Sequence, residues 1–156
     1  MTVSPPDCQP RILTASLRDL NAVRHVEQVC FQQDAWPLLD VIAVLTMPNV
    51  VRLKAVCDQH VTGFVAGDIR RNERISWIAT IGVLPEYRGR GIGRLLLQAC
   101  EAQLTTPFIR LCVRVDNSPA ITLYENTGYA TVGRWTGYYQ DGADALVMEK
   151  VRQSGL

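Results

Sequence analysis

The sequence predicts an α/β protein in which a mixed, mostly antiparallel central sheet carries helices on both faces. Three observations support this fold class: alternating apolar and polar residues over positions 51–83, an amphipathic helical pattern from Gly91, and a strand–helix–strand succession after it. A period of two residues is typical of half-buried strands, and spacings of three and four residues are typical of helices. Strands joined by short turns pair antiparallel, whereas a strand–helix–strand unit allows parallel pairing.

The elements are expected to form one domain over residues 10–152, after a flexible lead-in over residues 1–9. The predicted strands are residues 11–14, 51–57, 61–69, 75–83, 108–115, 129–136 and 143–151. The predicted helices are residues 16–31, 38–47, 91–106 and 118–128.

Local signals mark where these elements begin, end or bend. Ser16, with Asp19 three residues later, is typical of an N-terminal capping box. Asn117 and Ser118 are both suitable cap residues for the fourth helix, and Ser118, directly before a proline, is expected to take this role. Gly82 indicates a β-bulge or a close backbone approach in its strand. Gly142 follows an aspartate and indicates a hairpin between the last two strands.

Composition excludes several classes of protein. Of the 156 residues, 47% are hydrophobic and 20% are charged, with a formal net charge of +1, so we expect a folded protein for which nucleic acid is not the main ligand. The five cysteines form no C-x-x-C pair, which predicts neither a disulfide framework nor a metal site. No apolar run is long enough for a membrane span. We therefore expect a cytoplasmic protein without a membrane partner.

A glycine- and arginine-rich turn lies between the strand that ends at Val83 and the helix that follows. Glycine allows a ligand to touch the main chain, and a helix start offers unpaired N–H groups and a positive dipole end. Arginines around the turn favour a diphosphate over a single carboxylate. The residues expected to bind this anion are Arg88, Gly89, Arg90, Gly91, Ile92, Gly93 and Arg94.

Three alternatives compete with this interpretation of the turn. A P-loop requires a lysine followed by serine or threonine, which the turn lacks. A dinucleotide fingerprint requires a third glycine where Arg94 stands, and it follows a parallel strand. A solvated basic turn without a ligand is disfavoured by the strand before it and the helix after it.

The string Arg88-x-x-Gly91-x-Gly93, between that strand and that helix, resembles the acetyl-CoA motif of the GNAT (GCN5-related) N-acetyltransferases. The resemblance continues through Leu111-Cys-Val-Arg-Val-Asp-Asn-Ser-Pro-Ala-Ile-Thr-Leu-Tyr-Glu-Asn-Thr-Gly-Tyr129. It implies the GNAT acyl-CoA N-acyltransferase fold, acetyl-CoA as cofactor and an amine as acceptor. The branch that the chain most resembles acetylates protein N-termini, including the N-terminal alanine of a ribosomal protein.

The resemblance also implies roles for particular residues. Main-chain groups of Ile81, Gly82 and Val83 would contact the pantetheine arm and the thioester, and the arginine–glycine turn would hold the pyrophosphate. Asn117 would bind the cofactor near its pantetheine. Tyr124 would be the general acid that protonates the leaving thiolate, which suits a phenol with an ordinary pKa near 10.

The general base is not identified by the sequence. In related enzymes a glutamate or histidine stands at the position of Cys112, or a tyrosine at the position of Trp77, and neither residue here is a convincing base. An acceptor α-amine has an ordinary pKa near 7.7–8.0, so part of it is already neutral at neutral pH. Three carboxylates remain candidates to accept a proton through water: Glu86, Glu125 and Asp144.

The acceptor is predicted from the last hairpin and from the loop after the first helix. Tyr138 and Tyr139 resemble a tyrosine pair that covers the substrate peptide, and Trp36 stands where related enzymes carry an acceptor loop. A protein N-terminus is favoured over a small amine, a non-catalytic acyl-CoA sensor and an RNA-binding module. The sequence leaves monomer and homodimer open.

Overall fold

The computed structural model describes residues 8–152, so most of the predicted lead-in lies outside the described residues. The strands are β1 (Arg11–Thr14), β2 (Val50–Cys57), β3 (His60–Arg70), β4 (Ile75–Val83), β5 (Phe108–Arg114), β6 (Ala130–Trp135) and β7 (Ala145–Val151). The α-helices are α1 (Leu20–Phe31), α2 (Leu38–Thr46), α3 (Ile92–Gln103) and α4 (Ser118–Asn126). No helix of this described part is long and apolar enough to cross a membrane.

The seven strands form one sheet in the order β1-β2-β3-β4-β5-β7-β6. β4 and β5, which α3 connects, pair parallel, and the other neighbouring strands pair antiparallel. The predicted mixed, mostly antiparallel sheet is therefore confirmed. The single parallel pair lies where the sequence has its strand–helix–strand unit.

Helices cover both faces of this sheet, as predicted. Side chains of β3 alternate between the faces: Phe64 and Ala66 pack in the core under α1 and α2, while Val65 packs in the core that includes α3 and Tyr124 of α4. Because successive strand residues point to opposite faces, one apolar strand supplies both cores. Helix α1 and helix α4 thus approach the middle of the sheet from opposite sides.

Two helix starts show how the sequence sets the boundaries. Ser16 and Asp19 form the predicted capping box, and a short 3-10 turn precedes α1. The prediction for α4 was wrong, because Asn117 and not Ser118 is the cap: its Oδ1 accepts the Ala120 N–H at 3.3 Å. Asparagine is among the best N-cap residues, and the serine occupies the first helical position before Pro119.

The sequence predicted a β-bulge or a close backbone approach at Gly82, and the structure has both features in β4, at different residues. The β-bulge lies at Ala79, where the register between β3 and β4 shifts. Gly82 itself lies against the end of α1, since a Cβ there would stand 3.1 Å from the Cys30 sulfur. Gly82 thus allows α1 to pack close to the strand that leads into the glycine-rich turn.

The expectation of no disulfide was wrong for one pair of cysteines. Cys8 is bonded to Cys57 at the end of β2, with their Cα atoms 5.6 Å apart. A pairing across 49 residues leaves no local spacing signal in the sequence. It anchors Cys8, one of the residues assigned to the flexible lead-in. Disulfides persist in oxidising compartments, and the cytoplasmic location stays a prediction.

Reduction of this disulfide is expected to lower the free energy of unfolding by about 2–4 kcal/mol, because it frees a long loop in the unfolded chain. Denaturant titration with and without dithiothreitol measures the change, and a Cys8→Ser variant should be insensitive to the reductant. Thiol titration of the unfolded protein should find Cys30, Cys100 and Cys112 free before reduction. Five free thiols before reduction would contradict the pairing.

Candidate functional site

The strands β4 and β5 separate in the middle of the sheet. Their parallel ladder runs from Ile75, opposite Phe108, to Ile78, opposite Leu111, and among the described residues it extends no further. A cavity of about 880 Å³ opens where the strands part. Its walls come from the end of α1 and the loop after it, from the end of β3, from β4 and β5, from α4, and from the β6–β7 hairpin.

The arginine–glycine turn follows the free part of β4. Gly89 and Gly91 both have φ of +79°, and a Cβ at either position would meet no atom within 4 Å. Gly91 is the N-cap of α3, so the first N–H groups of that helix have no partners inside the helix. The turn is therefore an open main-chain surface at a helix start, suited to an anion.

The arginines of the turn are placed in different ways. The Nε of Arg88 donates to the Val83 carbonyl at 2.9 Å, so its guanidinium lies against the end of β4. Arg90 contacts the Glu86 carbonyl and lies 5.5 Å from the centre of the Tyr87 ring. Arg94 is exposed on the first turn of α3. Their positive charge surrounds the glycines, which is favourable for a phosphate group.

Tyr124 of α4 is buried, with 6% of its surface exposed, and it lines the cavity. Burial raises the pKa of its hydroxyl, and the nearby Tyr139 adds to the shift. The phenol therefore stays protonated in the free protein. A phenol that keeps its proton in this position is available as a donor to a departing thiolate.

Asn117 also lines the cavity, at the start of the same helix. The helix cap uses only its oxygen Oδ1, which leaves the amide nitrogen Nδ2 for another partner. Capping and ligand binding are thus compatible for this side chain. The structure brings Asn117, Tyr124 and Ile81 to one cavity.

An aromatic wall, which consists of Trp77, Trp135, Tyr138 and Tyr139, closes one side of the cavity. The centroids of Trp77 and Trp135 are 6.0 Å apart, those of Trp135 and Tyr138 are 5.4 Å apart, and those of Tyr138 and Tyr139 are 5.0 Å apart. These distances are typical of interacting aromatic rings. Trp36 lines the cavity from the loop after α1.

Arg114, the last residue of β5, joins the two loops at the cavity mouth. Its guanidinium bonds Asp34 after α1 at 2.8 Å and also bonds Asp141 in the hairpin. It lies 4.8 Å from the centre of the Tyr139 ring. Sequence analysis did not identify this role, because the partners are 80 and 27 residues away in the chain.

Glu27 is the functional candidate that the sequence analysis missed. It is 3% exposed, lies on α1 and lines the cavity, and its Oε1 accepts the Thr80 hydroxyl at 2.5 Å. Burial raises its pKa above the ordinary value, while hydrogen bonds from Thr80 and the Trp36 N–H act in the opposite direction. Its helical spacing from Val23 and Cys30 places an acidic residue on the buried face of α1, a signal available in the sequence.

The carboxylates suggested from the sequence as proton acceptors lie elsewhere. Glu86 and Glu125 are exposed, and Asp144 is bonded to Arg134 and to a hairpin N–H. None of the three lines the cavity. Cys112 does line it, and burial raises the pKa of its thiol to about 11. A thiol that holds its proton so firmly is a poor base at neutral pH.

The acetyltransferase (GNAT) family model matches residues 20–129, which is more than half of the chain. An N-alpha-acetyltransferase of Saccharolobus solfataricus is 34% identical over 87% of this chain and 89% of its own length. The N-alpha-acetyltransferase RimI of Mycobacterium tuberculosis is 43% identical, but only over 47% of each chain. The residues matched by the family model include the glycine-rich turn and Tyr124.

Solved structures share the fold. The ribosomal-protein-S18-alanine N-acetyltransferase of Escherichia coli superposes with a TM-score of 0.84 over 94% of this chain and 97% of its own, at 24% identity. The NAA60 protein of Arabidopsis thaliana, solved with acetyl-CoA, gives a TM-score of 0.82 over 92% of this chain and 100% of its own, at 20% identity. At 24% and 20% identity, the similarity to these structures supports a shared fold only.

Proposed function

Because the chain belongs to the acetyltransferase (GNAT) family, we propose that it acetylates the α-amine at the N-terminus of a protein or peptide. Enzymes of this family use acetyl-CoA as the acetyl donor. The acceptor class is supported by the full-length relatives, which are named for N-alpha-acetylation. One observation carries the proposal in the structure: the aromatic wall and Tyr124 face the same cavity, which opens where β4 leaves β5.

For the donor half, the main chain of Ile81, Gly82 and Val83 lies along the free part of β4. We assign the thioester and the pantetheine arm to this segment, together with the free amide of Asn117. The pyrophosphate is assigned to the main-chain N–H groups after Gly89 and Gly91. An unpaired strand edge and an uncapped helix start both offer donors and acceptors that need partners.

For the acceptor half, we assign the first residues of a peptide to the space between Trp36 and the aromatic wall. Tyr138 and Tyr139 present both ring faces and hydroxyl groups, which suit an extended peptide backbone. The acidic residues at the mouth, Asp34 and Asp141, are paired with Arg114. This pairing does not favour a polycationic small amine, for which an unpaired acidic pocket would be expected.

In the chemical step, the neutral amine attacks the thioester carbonyl, a C–N bond forms and the C–S bond breaks. The Tyr124 hydroxyl gives its proton to the departing thiolate. The resulting phenolate recovers a proton from the new amide nitrogen. Tyr124 thus returns to its starting state within each turnover, and its raised pKa ensures that the phenol is protonated when the next thioester is bound.

A matched peptide panel tests the acceptor class. The protein is mixed with acetyl-CoA and one of three acceptors: a peptide with a free α-amine and no lysine, the same peptide with a blocked N-terminus and one lysine, and a small polyamine. Thiol release is followed together with the mass of the peptide. We expect release with the first peptide alone. Release with the polyamine alone, or with the lysine peptide alone, would refute the proposal.

A further inference from the structure

Glu27 is a buried carboxyl group beside the reaction space that has no part in the transfer between amine, thioester and Tyr124. Its carboxyl group accepts hydrogen bonds from two neutral donors, the Thr80 hydroxyl at Oε1 and the Trp36 N–H. No ion pair is recorded for Glu27 within residues 8–152. When a carboxyl group is buried without a cationic partner, the loss of hydration destabilises its charged form. Such a group in a cleft is a common feature of functional sites.

Thr80 connects this carboxyl group with the reaction space. It lies on β4 directly before Ile81, and both residues line the cavity together with Tyr124. The Thr80 hydroxyl donates to Glu27 and can accept a hydrogen bond from a second group in the cavity. A proton can therefore move from the cavity to the buried carboxylate through one hydroxyl.

We propose that Glu27, acting through the Thr80 hydroxyl, accepts the proton that the acceptor ammonium must lose before it attacks the thioester. The N–H bond of the ammonium breaks, Thr80 takes that proton while giving its own to Oε1, and the amine becomes neutral. The protonated carboxyl releases its proton to water in the cavity after the product leaves. Tyr124 remains the proton donor to the thiolate. This role rests on the proposed function of the cavity as an amine-acetylating site.

The surroundings of Glu27 suit a proton acceptor. The titratable groups that line the same cavity are Cys30, Asp34, Asp68, Arg70, Cys112, Arg114, Tyr124, Tyr138 and Tyr139. Both arginines are paired with aspartates, Arg70 with Asp68 and Arg114 with Asp34. Outside the lining, Arg88 lies 3.7 Å from the Cys30 sulfur. The raised pKa of the carboxyl gives it a higher proton affinity than an exposed glutamate.

The Glu27→Gln variant separates this role from a structural one. Glutamine keeps an oxygen that can accept the Thr80 hydroxyl, but it cannot accept a proton near neutral pH. We expect kcat/KM of the wild type to be nearly level between the pKa of Glu27 and that of the peptide amine. The kcat/KM of the variant should rise about tenfold per pH unit up to the amine pKa, near 7.7–8.0. The variant can use only the fraction of the amine that is already neutral in solution.

Three further variants complete the test. Thr80→Val should reproduce the pH profile of Glu27→Gln, Thr80→Ser should keep that of the wild type, and Glu125→Gln, which removes an exposed carboxylate outside the cavity, should change nothing. If Glu27→Gln lowers kcat/KM by the same factor at every pH, or does not lower it at all, the proposal is overturned. Failure of the wild type to acetylate the α-amine peptide would refute the proposed function instead. If the wild type acetylates another amine, the pH profiles of the variants are compared with that amine. Absence of turnover with every acceptor would overturn both the proposed function and the role of Glu27.

Discussion

Replacing Tyr124 with phenylalanine is expected to lower kcat about 10²-fold or more, with the affinity for acetyl-CoA nearly unchanged. The variant loses one oxygen atom and keeps the ring, which lies edge-on to Tyr129 with the centroids 5.8 Å apart. Packing is therefore preserved, and the effect isolates the proton that the leaving thiolate needs. Steady-state kinetics with an N-terminal peptide, together with calorimetric titration of the cofactor, measures both quantities.

Tyr129→Phe is the matched control for this substitution. Its hydroxyl donates to Glu101 at 3.0 Å, outside the cavity, so its loss removes a hydrogen bond but no group near the thioester. We expect kcat to stay close to that of the wild type and the free energy of unfolding to fall by about 1 kcal/mol. Equal turnover of Tyr124→Phe and wild type would show that Tyr124 is only part of the core.

Replacing Gly91 with alanine is expected to weaken the binding of acetyl-CoA about thirtyfold. Gly91 has φ of +79° and caps α3, and its Cβ would enter the open space above the turn. A phosphate placed there would be pushed away from the main-chain N–H groups. The loss of one charge-assisted hydrogen bond corresponds to about 2 kcal/mol, which is roughly a thirtyfold change in Kd.

Backbone strain alone must be separated from this steric effect, since alanine at positive φ is itself unfavourable. Gly137→Ala provides the control, because Gly137 has φ of +63° and a Cβ there would also meet open space, but it lies in the β6–β7 hairpin away from the turn. We expect both variants to lose stability and only Gly91→Ala to lose cofactor affinity. Unchanged affinity in Gly91→Ala would refute the assignment of the pyrophosphate to this turn.

The parts of the fold that local rules control could be predicted from the sequence. The capping box of Ser16 and Asp19, and the glycine-rich turn before α3, depend on residues a few positions apart. Tyr124 and Asn117 could be assigned because their spacing on α4 follows a family pattern. Helix α2 ends at Thr46, before Pro48, because the residue preceding a proline disfavours helical geometry.

The parts that depend on contacts far apart in the chain could not be predicted. Glu27 and Thr80 are 53 residues apart, and Arg114 and Asp34 are 80 residues apart. One sequence carries no sign that such pairs meet. For Asn117 a local rule offered two cap residues, and only the geometry of the first turn decided between them. For Glu27 the sequence did show an acidic residue on the apolar face of a helix. Its partner Thr80 lies on a strand of the sheet, which the helix pattern does not indicate.

The separation of β4 from β5 places an unpaired strand edge inside the sheet and not at its margin. Outer edges are open to pairing with strands of other chains, and proteins protect them with charges, bulges or covering loops. Here the edge lines a cavity whose walls include the arginine-joined loops and α4. A thin, unbranched molecule with amide groups of its own can reach it and complete the ladder. The same arrangement that favours such a molecule therefore also limits aggregation through this edge.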